Sequence, residues 1–158
     1  MDKEPYYVFA ASWPSPNGSG ISLSVHPNGT LDRLVDSWNY DRTSGIHGLA
    51  VGGYGAQQLL YSADLDGDRI WTHAIDATTG KVTELGRLKA KKTGMHPRHL
   101  TAHPKGTHLY VVMEAENSLH QFRLDGEGVA AEDSESYSLI PTGKFPESAR
   151  CSLHASGQ

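Results

Sequence analysis

The chain has 158 residues, enough for one domain with an adequate core, and its 20% charged fraction and 17 glycines are those of a globular rather than a disordered polypeptide. A net charge of −4 gives no global field favouring nucleic acid or an anionic membrane surface, and no run of about 18 apolar residues exists to span a bilayer. Cys151 is the single cysteine and Met1-Asp-Lys-Glu-Pro-Tyr lacks the basic and apolar regions of a secretory signal, so no intrachain disulfide forms and a reducing, cytoplasmic setting is expected.

In chain order the sequence reads as short strands separated by turn residues. Tyr6–Ala10 is an apolar strand, followed by a loop rich in Pro, Asn, Gly and Ser from Pro14 to Gly20. Ile21–Val25 alternates apolar and polar residues with period two, His26-Pro-Asn-Gly-Thr turns the chain, and Leu31–Val35 runs back. A second group predicts strands at Gly48–Val51, Leu59–Ala63, Arg69–Ile75 and Val82–Leu88, with turns at Gly52-Gly53, Asp66-Gly67 and Thr79-Gly80. A third predicts Leu100–His103, His108–Met113, Ser118–Leu124 and a weaker outer strand near Tyr137.

The second and third groups repeat one another. Gly48-Leu-Ala-Val matches His99-Leu-Thr-Ala, and Gly55 matches Gly106, at a separation of 51 residues. After a slip of two the separation is 49, and Leu60-Tyr61 falls on Leu109-Tyr110, Ile70 on Leu119, and Ile75-Asp76 on Leu124-Asp125. Repeats of about 40–50 residues built from four short strands fit β-propeller blades. The expected fold is therefore all-β: about three four-stranded antiparallel blades of a larger ring, with 1–40 a partial blade, 45–90 and 97–140 blades, and 149–158 the start of the next. Closure needs about four to eight blades, so the chain is expected to be a propeller fragment that exposes blade faces and self-associates through them. The same register places His47 and Arg98 at one structural position of adjacent units, and the chemistry is sought there.

Several strings then carry a resemblance. Thr43-Ser-Gly-Ile-His-Gly, Leu60-Tyr-Ser-Ala-Asp-Leu with Ile70-Trp-Thr-His, His96-Pro-Arg-His, Ala102-His-Pro-Lys-Gly, Tyr110-Val-Val-Met-Glu-Ala-Glu-Asn and Ser138-Leu-Ile-Pro together resemble the eukaryotic-type 3-carboxy-cis,cis-muconate lactonizing enzymes, or carboxymuconate cyclases. These belong to the propeller lactonase superfamily, alongside the 6-phosphogluconolactonases. The resemblance implies a central portion of a seven-bladed ring and a cycloisomerase of aromatic catabolism that uses neither cofactor nor metal. It acts on a small anionic carboxylate: one carboxylate of a tricarboxylic diene adds to the conjugated double bond, and the enolate-like intermediate is then protonated. Cationic groups must hold carboxylates and stabilise the developing charge, and an acid must deliver the proton. The resemblance implies that His47, Arg98 and Glu114 line the central channel. Arg98 suits bidentate carboxylate binding, with His47 and Glu114 the candidate acid and base, unranked. A further arginine of the family's site lies in a later blade. The sequence departs from the pattern at Arg150, which sits nearer Cys151 than the family's arginine does and is assigned at most a contact.

Each residue also has a structural reading. His47 suits a turn histidine bonded to backbone, Arg98 an inter-blade salt bridge, and Glu114 a partner for Arg98 without catalysis. His96, His99 and His103 complete no recognisable zinc spacing. In Asp64-Leu-Asp-Gly-Asp the glycine comes too early for a calcium loop and no glutamate closes it, so a hairpin turn is expected. Arg87-Leu-Lys-Ala-Lys-Lys reads as a solvated outer strand and loop. Two other functions stay open, a lactonase of the 6-phosphogluconolactonase type and a non-catalytic propeller fragment. The isolated chain is expected to be inactive, since an open arc lacks the opposing wall.

Overall fold

The computed structural model describes residues 5–141. Every regular element among them is a β-strand, and the strands form three antiparallel sheets in which each strand pairs with the next in sequence. The first sheet contains β1 (Tyr6–Ala11), β2 (Ser19–Val25) and β3 (Leu31–Asn39). The second contains β4 (Ile46–Tyr54), β5 (Gln57–Asp64), β6 (Arg69–Ile75) and β7 (Val82–Lys89). The third contains β8 (Pro97–Ala102), β9 (His108–Met113), β10 (Ser118–Leu124) and β11 (Ala130–Ser138). Consecutive sheets are adjacent in space. The inner strands β4 and β8 run side by side, and β11 packs against β6 and β7. Arg150 and the further blade expected at 149–158 lie outside the described residues.

Most strands are longer than their sequence patterns. β3 continues to Asn39 because Asp36 to Asn39 keep pairing with Ser19 to Ser22 of β2 beyond a bulge that interrupts the alternation. β4 and β8 begin earlier than expected, at Ile46 and Pro97, so His47 and Arg98 lie inside strands rather than before them.

Apolar side chains on the facing surfaces of the sheets explain why they stack. Leu59, Tyr61 and Ile70 of the second sheet meet Leu109, Val111, Met113 and Phe122 of the third in one buried cluster. Burying such side chains stabilises by about 1.5–3 kcal/mol each. The Tyr61 hydroxyl donates to the carbonyl of Gly128 at 2.8 Å, so its polar end is also satisfied across the junction. Gly106 marks a tight approach: its φ is +65°, and a Cβ there would overlap the carbonyl oxygen of Gly53. A residue with a side chain fits neither that backbone conformation nor that space.

The first junction is aromatic. Tyr40, Ile46 and Trp71 form its buried core, and the ring of His73 lies within 6.3 Å of those of Trp38, Tyr40 and Trp71. His73 is buried, and burial pushes it down to about 4. Above pH ~6.5 the ring is neutral folded or unfolded, and stability does not depend on it. Below that, the unfolded chain takes up a proton that the folded chain refuses. Stability is therefore lost as pH falls from about 6.5 to about 4, by about 3 kcal/mol in total. Urea unfolding followed across this range should show the loss, and a His73→Leu variant should show a flatter profile.

Candidate active site

Two bulges set up the site. Along β4, Ile46 pairs with Asp64 and Gly48 with Ala63, so His47 is the extra residue of a bulge. Along β8, Pro97 pairs with Met113 and Leu100 with Val111, so Arg98 and His99 fall in a bulge at the matching place. A bulge re-aims its side chain out of the pleat, and here it does so at the start of two neighbouring inner strands. Gly48 lets those strands close on one another, since a Cβ there would overlap the carbonyl oxygen of Arg98. Glu114 directly follows β9 at the same end of the third sheet, its amide donating to the carbonyl of His96 at 3.0 Å.

All three residues expected from sequence are brought together. The Nε of Arg98 lies 3.3 Å from Nε2 of His47 and 3.3 Å from Oε2 of Glu114. The Nε–H of Arg98 thus donates to His47 while the same guanidinium is ion-paired with Glu114. The side chains of Arg98 and Glu114 are each 19% exposed, wet enough to meet a ligand and dry enough for the charges to matter. Because Nε2 of His47 accepts from Arg98, the proton of the neutral ring belongs on Nδ1, which is buried and has no hydrogen-bond partner among the described residues. His47 is held below the usual histidine range, first by burial and then by the Arg98 cation, with Glu114 acting in the opposite sense.

Two further residues join the site. The ring of His99 lies 5.2 Å from that of His47, and His99 is also held down, by burial, Arg98 and His47. Trp13, from the loop between β1 and β2, sets its ring edgewise to His47 at 5.9 Å and is 54% exposed. His99 is legible in the repeat as the counterpart of Gly48 at the separation of 51 residues. Trp13 has a weaker signal, a large aromatic residue in an otherwise small and polar loop.

A model of the family described as lactonase, 7-bladed β-propeller, matches residues 2–157. The chain belongs to this lactonase family. The carboxy-cis,cis-muconate cyclase of Neurospora crassa is 33% identical over 98% of the chain and 44% of the relative's length. The 6-phosphogluconolactonase of Pectobacterium carotovorum is 25% identical over 90% of the chain and 41% of its own length. The solved periplasmic gluconolactonase of Pseudomonas aeruginosa superposes with a TM-score of 0.68 at 22% identity, covering 88% of this chain and 41% of that one. The chain thus spans less than half the length of the relatives it matches. His47 and Arg98 are the second residues of β4 and β8, the adjacent edge strands of the second and third sheets.

Proposed function

We propose that these blades supply part of a cyclase site that closes 3-carboxy-cis,cis-muconate to its lactone. The observation that carries the reading is the Arg98 guanidinium, hydrogen-bonded to His47 of the neighbouring bulge and ion-paired with Glu114, in a chain whose similarity to the Neurospora cyclase runs along nearly its whole length. In the reaction a carboxylate oxygen forms a C–O bond to the diene. The displaced π electrons become an enolate on the neighbouring carboxylate, and a proton on carbon restores neutrality there. No water enters and nothing leaves. Arg98 would hold the carboxylate on which the enolate charge develops, where an aligned cation in a dry setting is worth most. Glu114 keeps Arg98 oriented and supplies a negative charge that favours the protonated form of His47. A bound polyanion acts in the same direction, offsetting the Arg98 cation and raising His47 toward the range in which imidazolium is a competent acid.

A second reading, lactone hydrolysis, has support in the similarity to 6-phosphogluconolactonase. There neutral His47 would activate water instead. Three blades provide one wall of such a site, so the first measurement is binding. NMR titration of the chain with 3-carboxy-cis,cis-muconate is expected to shift the His47 ring resonances and raise its titration midpoint, while 6-phosphogluconolactone leaves them in place. Response to the sugar lactone alone, or its hydrolysis, would overturn the cyclase reading in favour of the second.

A further inference from the structure

Asp64 at the end of β5 and Asp66 and Asp68 in the turn to β6 each grip a different stretch of chain. Asp64 is fully buried and accepts from the Ser44 hydroxyl at 2.5 Å, the Gly45 amide at 2.9 Å, the Gly67 amide at 2.8 Å and the Trp71 indole at 3.0 Å. Asp66 accepts from the Ser15 amide at 2.7 Å. Asp68, 6% exposed, accepts from the amides of Gly94 and His96, the latter at 2.9 Å. Ser15, Gly45 and His96 belong to three separate loops: the one between β1 and β2, the approach to β4 and the approach to β8. The Ser15, Gly45 and His96 amides are each two residues from a side chain of the site, namely Trp13, His47 and Arg98.

The backbone records the tension of this arrangement. His96 has a φ of +55°, a left-handed conformation that is uncommon for a residue with a side chain and is held here by its neighbours. Those neighbours are Asp68, which takes its amide, and Glu114, whose amide donates to its carbonyl at 3.0 Å. Asp68 is itself left-handed at φ +52°, as a short polar side chain can be, which turns its carboxylate toward the β8 approach. Gly45 is shaped by the same turn: a Cβ there would overlap Oδ2 of Asp66.

We propose that Asp64, Asp66 and Asp68 are positioning residues, a three-way clamp that fixes Trp13, His47 and Arg98 relative to one another across neighbouring blades. The inference rests on reading His47 and Arg98 as site residues, but not on which substrate they meet. Carboxylates suit the task because they accept two or more N–H donors at once and charge-assisted hydrogen bonds are the stiff ones. A site of this kind must hold its groups within fractions of an ångström, and a rigid turn does that better than three independent loops.

The test needs no ligand. The groups facing the His47 ring are Arg98, Glu114, His99 and Trp13. The His47 titration midpoint is read by NMR in the wild-type chain, Asp68→Asn, Arg98→Ala and the double variant. The Gly94 and His96 amides donate to different oxygens of Asp68, and the carboxamide of Asp68→Asn replaces one of these with an NH2 that cannot accept. The β8 approach therefore loosens, the Arg98 cation drifts from His47 and the midpoint rises. In the Arg98→Ala background the Asp68→Asn substitution should add nothing. A midpoint unchanged by Asp68→Asn, or a shift equally large without Arg98, would overturn the proposal and leave Asp68 as a merely structural residue. Should the Asp68→Asn variant not fold, Asp66→Ala removes only the bond to Ser15 and should change the ring-current shift that Trp13 imposes on His47; an unchanged shift overturns the clamp. Absence of any response to 3-carboxy-cis,cis-muconate in the wild-type chain would count against the cyclase reading and leave these outcomes untouched.

Discussion

Replacing Arg98 with alanine is expected to lower affinity for 3-carboxy-cis,cis-muconate by about 10–100-fold, the loss of one charge-assisted pairing worth about 1.5–3 kcal/mol. The loss has two sources. The guanidinium no longer meets a substrate carboxylate, and Glu114, only 19% exposed, is left as a negative charge facing an anionic ligand. Arg98→Lys keeps the charge but not the planar fork, and should fall between the two. The same alanine variant should raise the His47 midpoint in the free protein, since a cation that holds it down has gone while Glu114 remains. Calorimetric titration measures the first effect and NMR the second. Undiminished affinity in Arg98→Ala would remove Arg98 from the site, whatever the family resemblance implies.

The second large effect concerns stability. Asp64→Ala strands four donors that now share one carboxylate: the Ser44 hydroxyl, the Gly45 and Gly67 amides, and the Trp71 indole. Breaking a buried network of this kind costs about 3–5 kcal/mol, a large fraction of the stability of a small domain. Urea denaturation should show a lower midpoint, with Asp64→Asn less affected because one oxygen still accepts. A cost below about 1 kcal/mol would mean that water replaces the carboxylate at little expense.

The repeat is legible because two blades need the same residue types at the same places. Gly55 and Gly106 match in sequence because both backbones are left-handed, at φ +60° and +65°. Asp68 and Asn117 match for the same reason, at +52° and +48°. His47 and Arg98 can be placed at one register position, and Glu114 beside Arg98, from the strings around them. The bulges cannot be read, since an extra residue in a strand leaves no mark on a two-residue alternation except to end it early. That is why Gly48–Val51 and Leu100–His103 look like the whole of β4 and β8. The aspartates of the β5–β6 turn are visible as a group, but not their purpose. Their partners are mostly backbone amides from distant loops, and an amide carries no residue-type signal. Arg87 shows the same limit. It reads as a solvated basic residue, yet its guanidinium lies 4.7 Å over the Trp71 ring while pairing with Asp41 across the sheet junction.

Matching bulges at the head of neighbouring inner strands have a consequence for how such a molecule diversifies. Duplication copies the distortion along with the strand, so a new unit arrives with one side chain already turned out of the pleat at the same place. Chemistry is then composed by changing the letter at a fixed address, imidazole at one and guanidinium at the next, without new backbone geometry. Recognition can drift one vertex at a time while the scaffold stays under the unrelated constraint of stacking its sheets.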